Sequence, residues 1–366
     1  MKRVYLDYAA TAPLRPQVRA RMLEVLDTYG NPSSVHAEGQ AARVILDDSR
    51  RLVADILGVR AERVVFTGGA TEANNLALRG FMGGISSNTL LVSAVEHDCV
   101  RNTGMALGAE EIPVDGQGVV RLQWLRERLT RGGVGMVSVM HANNENGVLQ
   151  PVEEIAALCR AAGAVFHTDA VQTVGHMPVQ VDALGADLLS FTGHKLGGPK
   201  GVGVLVLKSE LEMEAVVTGG SQERNRRAGT ENVLAIAGLA AALEAAVGNM
   251  DVERPAALGF EAQMVAGFEA LGLTVVGGNS AKIGHVVQVL TPGVRGEDVV
   301  IGMDMRGVAV SQGSACGSGR VKESHVLRAM GLVDGQAGEA VRLSWGWGSS
   351  EADIQAGLAA LRAVVR

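Results

Sequence analysis

Ser190 to Lys200 reads SFTGHKLGGPK, with Lys195 at its centre. Before it, Asp187 to Phe191 is an apolar run of strand length, and after it GVGVLVL (201–207) is another. A polar turn bounded by glycines therefore joins two strands, and Lys195 stands at a strand end on a loop with rigid neighbours. A lone lysine is by default a solvated surface charge. Here His194 is adjacent, Thr192 offers a hydroxyl, and Gly197, Gly198 and Pro199 set a tight backbone path that lets another group approach closely. A partly desolvated amine in such a place is what Schiff-base chemistry requires.

Outward from this turn the chain alternates between strand-like and helix-like stretches. Strands are expected at 64–67, 90–94, 136–140, 164–167, 188–191 and 202–207, with helices at 72–79, 99–107, 122–129 and 152–162. That alternation predicts an α/β fold, a mostly parallel sheet covered by helices. Ligands of such sheets sit at the carboxyl ends of the strands. The polar clusters fall there: Glu96-His97, Asn143-Asn144-Glu145, Asp169 with Gln172, and His194-Lys195. Gly68-Gly69-Ala70-Thr71, between a strand and a helix start, is suited to an anion but follows neither the Rossmann nor the P-loop spacing.

Helices are also expected at 16–26 and at 40–57, the second with Ile45, Leu52, Val53 and Ile56 on one face and Gly58 as C-cap. The longest apolar run, Val233 to Leu243, is too short to span a bilayer and reads as a buried helix. A boundary is expected at 248–255. Beyond it come a helix at 256–271, strands at 274–276, 285–290, 308–310 and 341–345, a helix at 297–306, and Ser350 as N-cap of a terminal helix. This gives a large domain over 16–250 and a smaller α+β domain formed by 1–15 and 251–366.

Of the 366 residues 47% are hydrophobic and 20% charged, and the net charge is -6, as in a globular protein with no nucleic-acid surface. The first residues, MKRVYLDYAATAP, lack the apolar core of a signal peptide, so neither export nor a membrane is expected. Three cysteines form no disulfide framework and fit a reducing cytoplasm. Cys159, spaced with Ile155 and Ala162, reads as a small core hydrophobe. Cys99, at a helix start after His97-Asp98, could carry a lowered thiol pKa. Cys316 lies in SQGSACGSGR (311–320), too polar and glycine-rich for a core, and could carry a thiol between a cofactor and an acceptor. A carboxylate and a lysine at neighbouring strand ends, Asp169 and Lys195, are either an ion pair or the two groups pyridoxal phosphate needs.

YLDYAATAP, GNPSSVH, FTGGATEANN, EHDCV, NNENG, HTDAVQTVG, SFTGHKLGGPKG, RRAGTENV, GSACGSG and VRLSWG follow one another over nearly the whole chain. Together they resemble the cysteine desulfurases of the NifS/IscS type, in the fold-type I, class V aminotransferase group. The resemblance implies that Lys195 forms the Schiff base with pyridoxal 5'-phosphate, Asp169 binds the pyridine nitrogen, Gln172 contacts the ring oxygen and His97 stacks on the ring and moves protons. Ala70, Thr71, Thr192 and His194 match phosphate-binding positions, and Thr230 matches the ligand reaching across from the other subunit of a homodimer. Asn144 and Arg342 match positions near the cofactor that hold the substrate carboxylate. It further implies that L-cysteine becomes L-alanine, with sulfur left as a persulfide on Cys316 for an acceptor protein that docks near Arg320 to Glu323. Asn146 and the Gly197-Gly198 pair depart from the family pattern without removing a chemical group. A selenocysteine lyase and a plain class V aminotransferase are the rival enzymes, separable by their products; against a catalytically silent scaffold speaks the joint presence of Lys195, Asp169 and Cys316, for which a scaffold has no physical need.

Overall fold

The computed structural model describes residues 3–84, 88–208, 210–313, 323–333 and 335–365. Strand β1 is Val4–Tyr5, and the central sheet is built from β2 Val64–Thr67, β3 Thr89–Ser93, β4 Glu110–Ile112, β5 Val134–Ser138, β6 Val165–Asp169, β7 Leu188–Thr192 and β8 Gly203–Leu207. Their order across the sheet is β2-β8-β7-β6-β5-β3-β4. β8 runs antiparallel to both its neighbours, and the other adjacent pairs are parallel.

Strand residues alternate between two apolar clusters. Phe66, Leu91, Val137, Leu189 and Val204 belong to one, and Val65, Leu90, Met136, Leu188 and Leu205 to the other. Successive side chains point to opposite faces, so both faces of the sheet are buried, which is why these strands read as continuous apolar runs. The helices Pro16–Val25 and Ala37–Leu57 pack on Val233–Gly248. Among the described residues no single helix is long and apolar enough to cross a membrane.

The expected elements are present with boundaries shifted by a few residues, and four differences have physical causes. β4 was not expected: in Glu-Glu-Ile only Ile112 is buried, so the strand has almost no apolar signature. The buried face of Ala37–Leu57 includes Leu46, Arg50 and Ala54, whereas Ile45, Leu52 and Ile56 are only partly covered. Arg50 can be inside because its guanidinium forms a two-bond pair with Glu223, at 2.6 and 2.7 Å. The helix expected from 256 begins earlier, as Met250–Glu269: only Asn249 separates it from Val233–Gly248, the two meet at a 73° bend, and Pro255 lies inside the second helix. Ala162 is exposed, although Cys159 and Ile155 are buried as expected.

Past the bend, β9 Thr274–Val275, β10 Val286–Leu290 and β12 Ala340–Ser344 form an antiparallel sheet, while β11 Val308–Ala309 pairs in parallel with β1. Val4 and Leu6 share an apolar cluster with Phe268, Val287, Leu343 and Trp345. Asp7 bridges to Ser344, which brings the segment that follows β1 to the edge of the central cavity.

Candidate active site

The carboxyl ends of β2, β3, β5, β6 and β7 open on one cavity of about 1000 Å³. Lys195 reaches it from a single 3-10 turn after β7, Gly193–Lys195. Its Nζ donates to the carbonyls of Ala9 and Ala10, the latter at 2.8 Å. Burial and the nearby Arg342 charge push the Lys195 ammonium down to about 8, so a substantial fraction is neutral amine in mildly alkaline solution.

Asp169 ends β6 and is 4% exposed. Its oxygens accept from Asn74 Nδ2 at 2.7 Å and Val171 N at 3.0 Å, and burial pushes the carboxyl upward. Lys195 is engaged by carbonyls instead, so among the described residues the Asp169 carboxyl has hydrogen-bond donors but no bonded cation, an environment that a protonated ring nitrogen would fit. Asn74, one helical turn after Ala70, was not singled out in the sequence, although FTGGATEANN contains it.

The opposite end of the cavity is an amide cradle. Helix Ala70–Gly83 starts after Gly69, whose φ of +151° and ψ of 175° belong to glycine. The amides of residues 70–72 have no acceptor within the helix and line the cavity with Gly68 and Gly69. Gly203 lies so close behind that a Cβ there would meet the Gly69 carbonyl carbon at 2.5 Å, so backbone packing fixes the turn. Thr192 Oγ1 donates to the Val202 carbonyl at 2.8 Å, and His194 Nδ1 lies 3.2 Å from Thr11 Oγ1. Burial and the Lys195 charge push His194 down to about 4, making it a neutral donor. Amine, acid and anion cradle around one cavity fit pyridoxal phosphate, which carries an aldehyde, a pyridine nitrogen and a phosphate.

His97 caps helix Asp98–Ala106: its Nδ1 accepts from Cys99 N at 3.2 Å and lies 3.0 Å from Cys99 Sγ. Burial lowers its pKa, leaving the ring neutral. Cys99 lines the cavity, but its thiol is pushed up to about 12 by burial first and then by Asp169. The expected lowering at a helix start is overturned because desolvation of a thiolate exceeds the benefit of the helix end.

On a third wall, Arg342 Nη1 donates to the Asn144 carbonyl at 2.9 Å and Nη2 to Asp7 Oδ1 at 2.8 Å, while among the described residues Nε has no partner. Asn144 and Arg342 therefore lie side by side, and the guanidinium keeps donor capacity for a carboxylate. Glu145 next to them accepts from Ser324 Oγ at 2.5 Å. Glu145 was noted in the sequence only as part of the Asn143-Asn144-Glu145 cluster, and Asp7 was given no role, since a single acid in a turn carries no periodic signal. Asn146 Oδ1 accepts from Val148 N at 3.0 Å, and its Nδ2 donates to Met330 Sδ at 3.4 Å.

Ala70, Thr71, His97, Asn144, Asp169, Gln172, Thr192, His194, Lys195 and Arg342 thus all line the cavity. Thr230 is exposed and does not line it. Cys316 lies outside the described residues, as do Arg320 to Lys322 of the expected docking segment.

A family description, aminotransferase class V, matches residues 4–356. A cysteine desulfurase IscS of Dictyoglomus turgidum is 38% identical, with 100% of this chain and 95% of that protein covered. A putative cysteine desulfurase IscS 1 of Bacillus subtilis is also 38% identical, over 97% and 96% of the two chains. The X-ray structure of a NifS-like protein from Rickettsia africae superposes with a TM-score of 0.92 at 31% identity, covering 99% of each chain. By sequence match along nearly its full length and by fold, the chain belongs to the class V aminotransferase family, alongside the cysteine desulfurases of the NifS/IscS type.

Proposed function

We propose that the protein is a pyridoxal-phosphate-dependent cysteine desulfurase that converts L-cysteine to L-alanine and loads the sulfur onto Cys316. The observation that carries this reading is the convergence of Lys195, Asp169, the glycine-helix cradle and Arg342 on one cavity. When bound, pyridoxal phosphate supplies an electron sink for the bonds at the substrate Cα. Lys195 anchors it as an amine and carries the Cα proton. Asp169 would hold a proton on the pyridine nitrogen, Gln172 would donate to the ring oxygen, and His97 would stack on the ring and move protons. The amides at Ala70 and Thr71, with Thr192 and His194, hold the phosphate; Asn144 and Arg342 hold the substrate carboxylate.

The Cys316 thiolate forms a bond to the substrate sulfur as the Cβ–S bond breaks, and the protonated carbon skeleton leaves as alanine. Its two competitors support this choice. Cys159 is buried and its thiol is pushed up to about 12, and Cys99 is a protonated thiol beside His97 Nδ1. The persulfide goes to an acceptor protein of iron–sulfur cluster assembly or a thiolation pathway, in the cytoplasm.

The functional unit in this reading is a homodimer in which Thr230 of the partner subunit completes the phosphate site. Its support is that Thr230 is exposed and away from its own cavity, and that Leu23, Leu26, Tyr29 and Val35 leave large apolar surface uncovered. Each subunit divides into a domain over 16–250 and one formed by 1–15 and 251–366. The test is to mix the purified holoprotein with L-cysteine and a reductant and to measure alanine and sulfide. Equal amounts of both support the reading; neither product, or a keto acid instead, overturns it.

A further inference from the structure

Beneath the cavity floor lies a pair of imidazoles that the proposed reaction does not use. His176 and His285 stack with ring centroids 4.1 Å apart and 20° between planes. His285 is 3% exposed. His285 Nε2 lies 3.4 Å from Gln172 Oε1, and Gln172 Nε2 donates to the Ala9 carbonyl at 3.3 Å. On the other side of the stack, the His176 ring hydrogen-bonds the Lys195 backbone.

This network fixes proton positions. The Ala9 carbonyl can only accept, so the Gln172 NH2 group must face it and Oε1 must face His285. His285 Nε2 must then carry a hydrogen, and its neutral Nε2–H tautomer is the one that fits. Burial opposes protonation of His285, and so do His176, if protonated, and the Lys195 charge. With one amide hydrogen on Ala9, the other faces the cavity that Gln172 lines. These two contacts favour Gln172 as a donor toward the cavity, since the flipped amide would set its oxygen against the Ala9 carbonyl.

We infer that His285, stacked on His176, is a positioning residue that holds the Gln172 amide as a fixed hydrogen-bond donor to the phenolic oxygen of the cofactor. This rests on the pyridoxal phosphate reading above. A fixed donor favours the ionised phenol oxygen and so lowers the pH at which the Lys195-bound cofactor loses its proton. His176 braces the ring of His285 and ties it to the main chain of Lys195, so the donor and the amine share one support.

The test uses holoprotein and two substitutions. His285→Phe keeps a stacking ring and removes the donor; His285→Gln restores an amide N–H. The readout is the pH midpoint of the visible absorbance change of the bound cofactor, with borohydride fixation to Lys195 in the wild type as a prior control. Failure of that control overturns the cofactor reading itself. With the control passed, His285→Phe is expected to raise the midpoint by about one pH unit, a tenfold change in the proton equilibrium, and His285→Gln to stay near wild type. An unchanged midpoint in His285→Phe overturns the inference, as does an equal shift in both variants. In cofactor-free wild-type protein, ¹⁵N imidazole shifts are expected to show His285 as the Nε2–H tautomer from pH 6 to 8; the opposite tautomer overturns the inference even if no variant folds.

Discussion

Lys195 is poised by its surroundings: burial strips water from the ammonium, and two backbone carbonyls hold it, with no carboxylate bonded to it among the described residues. Because the neutral amine is the nucleophile and its pKa is pushed down to about 8, the rate of pyridoxal phosphate capture by apoprotein is expected to rise about tenfold per pH unit below 8 and level off above it. Stopped-flow absorbance checks this; a rate that keeps rising to pH 10 would contradict the depressed pKa. Lys195→Ala is expected to retain the fold and lose all cofactor fixed by borohydride. The cysteines are separated by a parallel comparison. Cys316→Ala should still bind cysteine yet lose alanine and persulfide formation, while Cys99→Ala keeps most activity, as alkylation and mass spectrometry can show. Lys195 and Asp169 were readable from the sequence because each ends an apolar run, where strand polarity dictates the use. Asn74, Asp7 and His285 were not, since their value comes from neighbours 95, 335 and 113 positions away. The raised Cys99 thiol was hidden for a related reason: burial cannot be read from a helix start.

The glycine turn and β8 show how a whole element tunes a ligand site. Gly203→Ala puts a methyl group against the Gly69 backbone, which has no flexible end to yield. The expected result is a loss of about 1–3 kcal/mol in stability from overpacking, and weaker cofactor retention as the cradle moves. Thermal melting of apoprotein and dialysis of holoprotein separate the two effects. The loop 222–230 is held in another way. Glu223, Arg224 and Asn225 have φ of +46°, +56° and +64°, unusual for residues with a Cβ, and the Arg50–Glu223 pair holds this path. Arg50→Ala strands a buried carboxylate and is expected to cost about 3–5 kcal/mol, read from denaturant melts. The strands and helices were readable where one or both faces carry periodic apolar residues. β4 and the join at 248–250 were not, because a one-residue signature and a helix-to-helix bend leave no pattern in composition.

For the assembled molecule, sedimentation at micromolar protein is expected to give a dimer with full cofactor occupancy, and Thr230→Ala to loosen cofactor without dissociating it. A fully loaded monomer would contradict the shared phosphate site. The Arg50–Glu223 pair also bears on how two copies can meet. Glu223 Oε2 accepts from Phe66 N at 3.0 Å and Arg50 Nη1 donates to the Val64 carbonyl at 2.7 Å, so the pair occupies hydrogen-bonding groups on the outer side of β2, a border strand. At the other border, Glu110 and Glu111 of β4 pair with Arg128 and Arg101. Both margins of the sheet are thus guarded by arginine–glutamate clasps, which deter a foreign strand from zippering on. Self-association is left to helix and loop surfaces, and breaking the clasp at β2 would free an unpaired rim, turning a stability defect into a tendency to form strand-mediated aggregates.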